Sequence, residues 1–196
     1  AIAVASDGTR WVGTQRWESH PGGATAVRGP LFAISPWQVY SQPFAGQVEQ
    51  LTIVTIDPAG NRWLVGETWG EGYSANLYRL SAGGKTWDVF DGGWEKINDL
   101  AVDGAGTAWL AIREGGMRAR DVYGDWTTYT RESTDGGLLS NNVTSVVVGT
   151  QDRVWFATWP KREWDPDAGH NVNVGGGVSV LSGTTWITYT TANGSP

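Results

Sequence analysis

The 196-residue sequence predicts an all-β protein made of four repeats, each of four short antiparallel strands. Three observations carry that expectation. The chain holds 28 glycines, and each would cost about 1 kcal/mol relative to alanine inside a helix, so turns are favoured over long helices. It also holds 13 tryptophans, most of which recur at a near-constant spacing. The third is that these tryptophans sit in short runs of Val, Thr and aromatic residues, which suit a pleated strand.

Each element of the repeat can be read in turn. Trp11, Trp63, Trp109 and Trp155 stand 52, 46 and 46 residues apart and mark a second strand. Three residues before them lie Gly8, Gly60, Gly106 and Asp152, residue types that accept the positive φ of a tight hairpin turn. Upstream is an apolar first strand, as in Leu51-Thr-Ile-Val-Thr-Ile or Val143-Thr-Ser-Val-Val-Val. A third strand is expected at Leu31-Phe-Ala-Ile, Leu77-Tyr-Arg-Leu, Met117-Arg-Ala-Arg and Val178-Ser-Val-Leu. The fourth follows a Trp-x-x-aromatic pattern at Trp37-Gln-Val-Tyr, Trp87-Asp-Val-Phe, Trp126-Thr-Thr-Tyr and Trp186-Ile-Thr-Tyr. Four strands per period of this length make the pattern of a β-propeller blade. The blades are expected at 1–47, 48–96, 97–142 and 143–196, with the eight patterned tryptophans as core between them.

The repeat resembles the two-component regulator propeller repeats of bacterial ligand-binding sensors and extracellular proteins. The stretch that carries the likeness runs Leu138-Leu-Ser-Asn-Asn-Val-Thr-Ser-Val-Val-Val, Val154-Trp-Phe-Ala-Thr, Gly176-Gly-Val-Ser-Val-Leu and Trp186-Ile-Thr-Tyr-Thr. The resemblance implies an extracytoplasmic location: periplasmic, cell-surface or secreted. The chain starts within an innermost strand at Ala1-Ile-Ala-Val-Ala and ends in half a linker, so the reading is part of a larger propeller. A closed four-blade ring and association with another copy are the alternatives.

Composition narrows the partners. Fourteen Lys and Arg against twenty Asp and Glu give a net charge of -6, which disfavours a nucleic-acid face. No apolar run reaches 18 residues, so no membrane-spanning helix is expected, and the absence of cysteine excludes disulfides and thiol chemistry. The expected partners are a carbohydrate or other small ligand, or a protein.

Function is expected on the face carrying the long crossings between second and third strands, at about 15–29, 67–76 and 159–177. Five tryptophans outside the repeat map there or to its rim: Trp17, Trp69, Trp94, Trp159 and Trp164. With Glu18, His20, Glu71, Tyr73 and His170 they form the candidate ligand-binding set, a surface on which a sugar ring or flat ligand would stack. Packing of the loops onto the blades by the same tryptophans is the competing reading. Asp165, Asp167 and Asn171, with Asn173, alternate as calcium ligands do, but the loop lacks the bidentate Glu of an EF-hand and reads better as a solvated turn. No cofactor is required by the sequence.

The first functional expectation is therefore a non-enzymatic binding module. The second is a structural or assembly component of a cell surface or filament. The third is an enzyme like the propeller-shaped streptogramin lyases, which have a similar Gly-x-x-Trp repeat and use a loop-face histidine with a metal. Here His20 and His170 have no recognisable catalytic partner. Ser81-Ala-Gly-Gly-Lys-Thr-Trp87 resembles a sialidase box without its Asp, which argues against a glycosidase.

Overall fold

The computed structural model describes residues 1–14, 24–27, 38–40, 50–69 and 73–191, and the chain divides into two compact units, Ala1–Lys96 and Ile97–Pro196. Each unit contains two four-stranded antiparallel sheets whose strands follow one another in chain order. In the first unit the sheets are β1 (Ile2–Val4), β2 (Arg10–Gly13), β3 (Ala24–Val27) and β4 (Gln38–Tyr40), then β5 (Gln50–Ile56), β6 (Arg62–Trp69), β7 (Tyr73–Leu80) and β8 (Trp87–Trp94). In the second they are β9 (Ile97–Val102), β10 (Ala108–Ile112), β11 (Gly116–Arg120) and β12 (Trp126–Tyr129), then β13 (Val143–Val148) and β14 (Val154–Thr158). A separate hairpin of β15 (Lys161–Asp165) and β16 (His170–Val174) interrupts this last sheet, which resumes as β17 (Gly177–Ser182) and β18 (Thr185–Tyr189). These are the sheets of propeller blades.

The first-to-second strand turns form as their residue types dictate. Gly8, Gly60 and Gly106 take φ of 81°, 84° and 89°, and Asp152 takes 52° in the fourth. Two turns carry a further device that the repeat alone did not reveal. Asp57 and Asp103, both buried, lie six residues before Trp63 and Trp109, and each accepts the indole Nε1–H at 2.9 Å. The other oxygen of each carboxylate accepts turn amides: Asn61 N at 2.8 Å from Asp57, and Ala105 N and Thr107 N at 3.0 and 2.8 Å from Asp103. One carboxylate thus closes the hairpin and fixes the core ring that follows it.

In the first unit the core joins Trp11 and Ala24 of one sheet to Leu51, Val54, Leu64, Tyr78 and Leu80 of the next. In the second, Trp109, Ala111, Met117 and Ala119 pack on Val143, Val146, Val154, Phe156 and Leu181, and Leu138 of the linker seals the seam. Polar bonds lock the same seam. Asp99 Oδ2 accepts from Ser145 Oγ at 2.6 Å and Val146 N at 3.0 Å, while Asn98 Nδ2 donates to the Val143 carbonyl at 2.7 Å.

Several expectations need correction. Of the eight patterned tryptophans, Trp11, Trp63 and Trp109 are buried and Trp87 and Trp186 half-buried, while Trp37 lies outside the described residues. Trp126 and Trp155 are not core: they are 39% and 37% exposed. Trp126 begins an outermost strand, which has a strand neighbour on one side only. Trp155 aligns across its sheet with Val147, Val180 and Ile187, on the face turned away from the seam, while Phe156 on the opposite face enters the core. Trp155 stacks instead on Tyr189, with ring centroids 6.1 Å apart and planes 9° from parallel.

The third strand of the first sheet is Ala24–Val27 rather than residues 31–34, which lie outside the described residues. The expected long crossing at 67–76 is largely strand, because β6 continues to Trp69 and β7 starts at Tyr73. The crossing at 159–177 contains the β15–β16 hairpin.

Gly116 starts β11 with φ of 75°, and a Cβ there would collide with the Tyr129 carbonyl of the outer strand. Gly116→Ala is expected to destabilise the protein by about 1–3 kcal/mol through overpacking and the disfavoured backbone region. Denaturant melts check this, and Gly183→Ala, at φ 60° with nothing near its Cβ, isolates the backbone part.

Candidate functional site

The second unit holds a cleft of about 460 Å³ at the seam between its two blades. Three segments build it: the β10–β11 turn with Glu114, the linker at 131–142, and the start of the β15–β16 hairpin. Asn141 organises the linker. Its Oδ1 accepts from Arg131 N at 2.7 Å, its Nδ2 donates to Glu132 Oε2 at 2.9 Å, and its carbonyl accepts from Gly116 N at 2.7 Å. The Asn142 carbonyl takes Trp159 N at 2.9 Å, and Leu139 N donates to Ser179 Oγ at 3.0 Å, tying the linker to the last blade. The Asn141 amide holds the Glu132 carboxyl below the usual range, with a backbone bond and the Thr130 side chain adding to the effect. Asn141 lies in the 138–143 stretch that carries the repeat resemblance, but its bonding role depends on partners brought together by the fold.

The hairpin has two chemically different faces, set by its register. Lys161 pairs with Val174, Glu163 with Val172 and Asp165 with His170, so these positions share one face; Lys161, Glu163 and Val174 line the cleft. Arg162 pairs with Asn173 and Trp164 with Asn171 on the other face. All four of these residues are exposed, Trp164 to 64%. Among the described residues, none of the four has a hydrogen bond, ion pair or ring contact from its side chain.

The other sequence-predicted residues fall in three groups. Trp17, Glu18, His20 and Glu71 lie outside the described residues. Register sets Trp69 opposite Tyr73 and Trp94 opposite Ala75 at the end of the second blade, so neither tryptophan is in a loop. Tyr73 is partly exposed, and burial, with the Glu67 carboxylate second, pushes its phenol far above the usual range. Glu67 itself, 1% exposed and accepting from Gln50 Nε2 at 3.4 Å, is a buried acid that the sequence reading missed. The sequence places Glu67 at the start of the 67–76 crossing, whereas β6 runs on through it and sets it on the same face as the buried Val65.

Trp159, Trp164 and His170 belong to the last blade. Trp159 is 64% exposed. Both tryptophans therefore face solvent rather than pack their crossing down. His170 shares its Nδ1 with the Ala168 carbonyl at 2.9 Å. Two of the suggested calcium ligands, Asp165 and Asn171, are on different faces of the ribbon. Asp165 Oδ1 accepts from Asp167 N at 2.9 Å and Ala168 N at 3.1 Å, closing the hairpin turn. No group of three His, Cys, Asp or Glu residues is placed for a metal among the described residues.

No protein-family profile matches the sequence, and no curated protein matches it. Solved structures do share its fold. The extracellular domain of a B. thetaiotaomicron protein described as the hybrid two-component system BT3049 aligns with all of this chain at a TM-score of 0.63 and 14% identity. PorZ, a bacterial surface component of the type-IX secretion system of Porphyromonas gingivalis, aligns over 100% of it at 0.61 and 16%. A protein described as a gluconolactonase aligns over 94% of it at 0.55 and 14%, with 71% of its own length covered. The chain spans 23% of the first of these proteins and 27% of PorZ. The fold is the β-propeller type of these solved structures, in keeping with the resemblance drawn from the repeat.

Proposed function

We propose that this chain is a non-enzymatic recognition module working outside the cytoplasm, and that it reads a carbohydrate with the outer face of the β15–β16 hairpin. The observation that carries this reading is the group of Arg162, Trp164, Asn171 and Asn173, four exposed side chains on one face with no partner among the described residues. Asparagine is depleted in strands, and a tryptophan can bury about 150–250 Å² of surface that here stays largely wet. Local choices that contradict the fold's own preferences mark function. An indole face stacks on the C–H face of a sugar ring, and amides and a guanidinium supply the donors and acceptors that hydroxyls need. The extracellular and surface domains that share the fold support the location.

A glycan array followed by calorimetry tests the reading. Trp164→Ala should leave the melting curve close to wild type while weakening the best hit by about 2 kcal/mol or more, as loss of an aromatic hot spot does. A wild-type chain that binds no glycan overturns it.

A second reading, an assembly component, rests on a different observation. Val147, Ile187 and Tyr189 lie exposed beside Trp155 on the outer face of the last blade. The corresponding Trp109 face of the preceding blade is buried by its neighbour. Concentration-dependent self-association in light scattering, abolished by Val147→Lys, is the result expected from this reading.

A further inference from the structure

We infer that the cleft between the two blades of the second unit is a binding site for a small zwitterion, a free amino acid or short peptide with both its ammonium and its carboxylate. The cleft is separate from the outer hairpin face and does not depend on the carbohydrate reading. Its volume of about 460 Å³ lies within the ~300–1,000 Å³ of small-ligand sites. Two kinds of charge line it: the cations Arg131 and Lys161, and the carboxylates Glu114, Glu132 and Glu163.

The internal pairing of these charges is loose. Arg131 Nη1 stands 3.9 Å and Lys161 Nζ 3.8 Å from the same Glu163 Oε1, well beyond the ~2.8 Å of a charge-assisted hydrogen bond. Two cations thus share one distant oxygen and keep donors free for a closer carboxylate. Glu132 is held as an acceptor by the Asn141 amide, and Glu114 stands at the β10–β11 turn with, among the described residues, no cation nearer than its chain neighbour Arg113, at 4.0 Å. An anion alone would meet three carboxylates, and a cation alone would meet Arg131 and Lys161. A ligand with both charges satisfies both sets, its carboxylate on Arg131 and Lys161 and its ammonium towards Glu114 and Glu132. Ser140, Asn142 and the apolar Leu139, Pro160 and Val174 complete the lining.

The test is calorimetry on the whole chain with the common L-amino acids and a dipeptide panel, then with N-acetyl and C-terminal amide forms of the best ligand. Each cap should weaken binding at least about ten-fold. Arg131→Gln should weaken the free ligand but leave the amide form unchanged, and Glu114→Gln should do the same for the free amine against the N-acetyl form. Glu163→Gln should tighten binding, because it removes the competitor for both cations. Trp164→Ala should not affect it, which separates this site from the hairpin face. The inference is overturned if nothing in the panel binds by about 10 mM, if capped ligands bind as well as free ones, or if Arg131→Gln has no effect in a variant that melts like wild type.

Discussion

Replacing Trp109 by alanine is expected to cost about 3–5 kcal/mol, the range for deleting a large buried aromatic, and replacing Trp155 only about 1–2 kcal/mol. The two residues occupy the same place in the repeat, so the difference comes from their surroundings. Trp109 is 8% exposed, and its ring lies 6.2 Å from Tyr129 and 6.3 Å from Phe156, in a core closed by the following blade. Removing it would leave a cavity that rigid sheets on both sides cannot fill. Trp155 is 37% exposed, and its main partner is the stacked Tyr189. Its removal would forfeit one ring pair and some buried area, and water would fill the space. Paired denaturant melts measure both. Equal losses would mean that position in the repeat, not burial, sets the energetics.

Asp103→Ala should cost about 3 kcal/mol, more than most surface carboxylates could. The substitution orphans the buried indole Nε1–H of Trp109 and frees the amides of Ala105 and Thr107. A buried donor left unpaired costs about 1–3 kcal/mol, and the two turn amides cost less because water reaches them. Asp57→Ala should behave alike, as Asp57 serves Trp63 and Asn61 in the same way. A double-mutant cycle isolates the indole bond: in a Trp109→Phe background, which lacks the N–H, Asp103→Ala should cost about 1 kcal/mol less. An unchanged cost would assign the whole effect to the turn. The spacing also shows why the blades differ. Position 149, six residues before Trp155, is glycine, and that indole has no such acceptor.

The repeat, its strand composition and its first turns were legible in the sequence because they are local. Trp11, Trp63, Trp109 and Trp155 all fall on second strands, and Gly8, Gly60, Gly106 and Asp152 all adopt the positive φ expected of them. Alternation in a strand sets which residues share a face, and residue type sets which backbone angles a turn accepts. Neither property needs a partner distant in sequence. Of the five tryptophans outside the repeat, Trp159 and Trp164 are exposed, whereas Trp69 and Trp94 end strands.

Only the tertiary structure decided which face of each sheet is covered. Trp155 and Phe156 are neighbours of similar hydrophobicity on opposite faces of β14, and either could have been core; the preceding blade covers the Phe156 face, while the Trp155 side chain stays 37% exposed. The crossing at 159–177 looked like a loop because Asp165, Pro166, Asn171 and Asn173 are poor strand formers, yet pairing of β15 with β16 made it a ribbon with two unlike faces. Arg131, Asn141 and Glu163 carried no signal of their meeting, which comes about because the linker folds back across the seam. Burial and convergence are properties of pairs of distant residues, and a single sequence records the residues without recording the pairs.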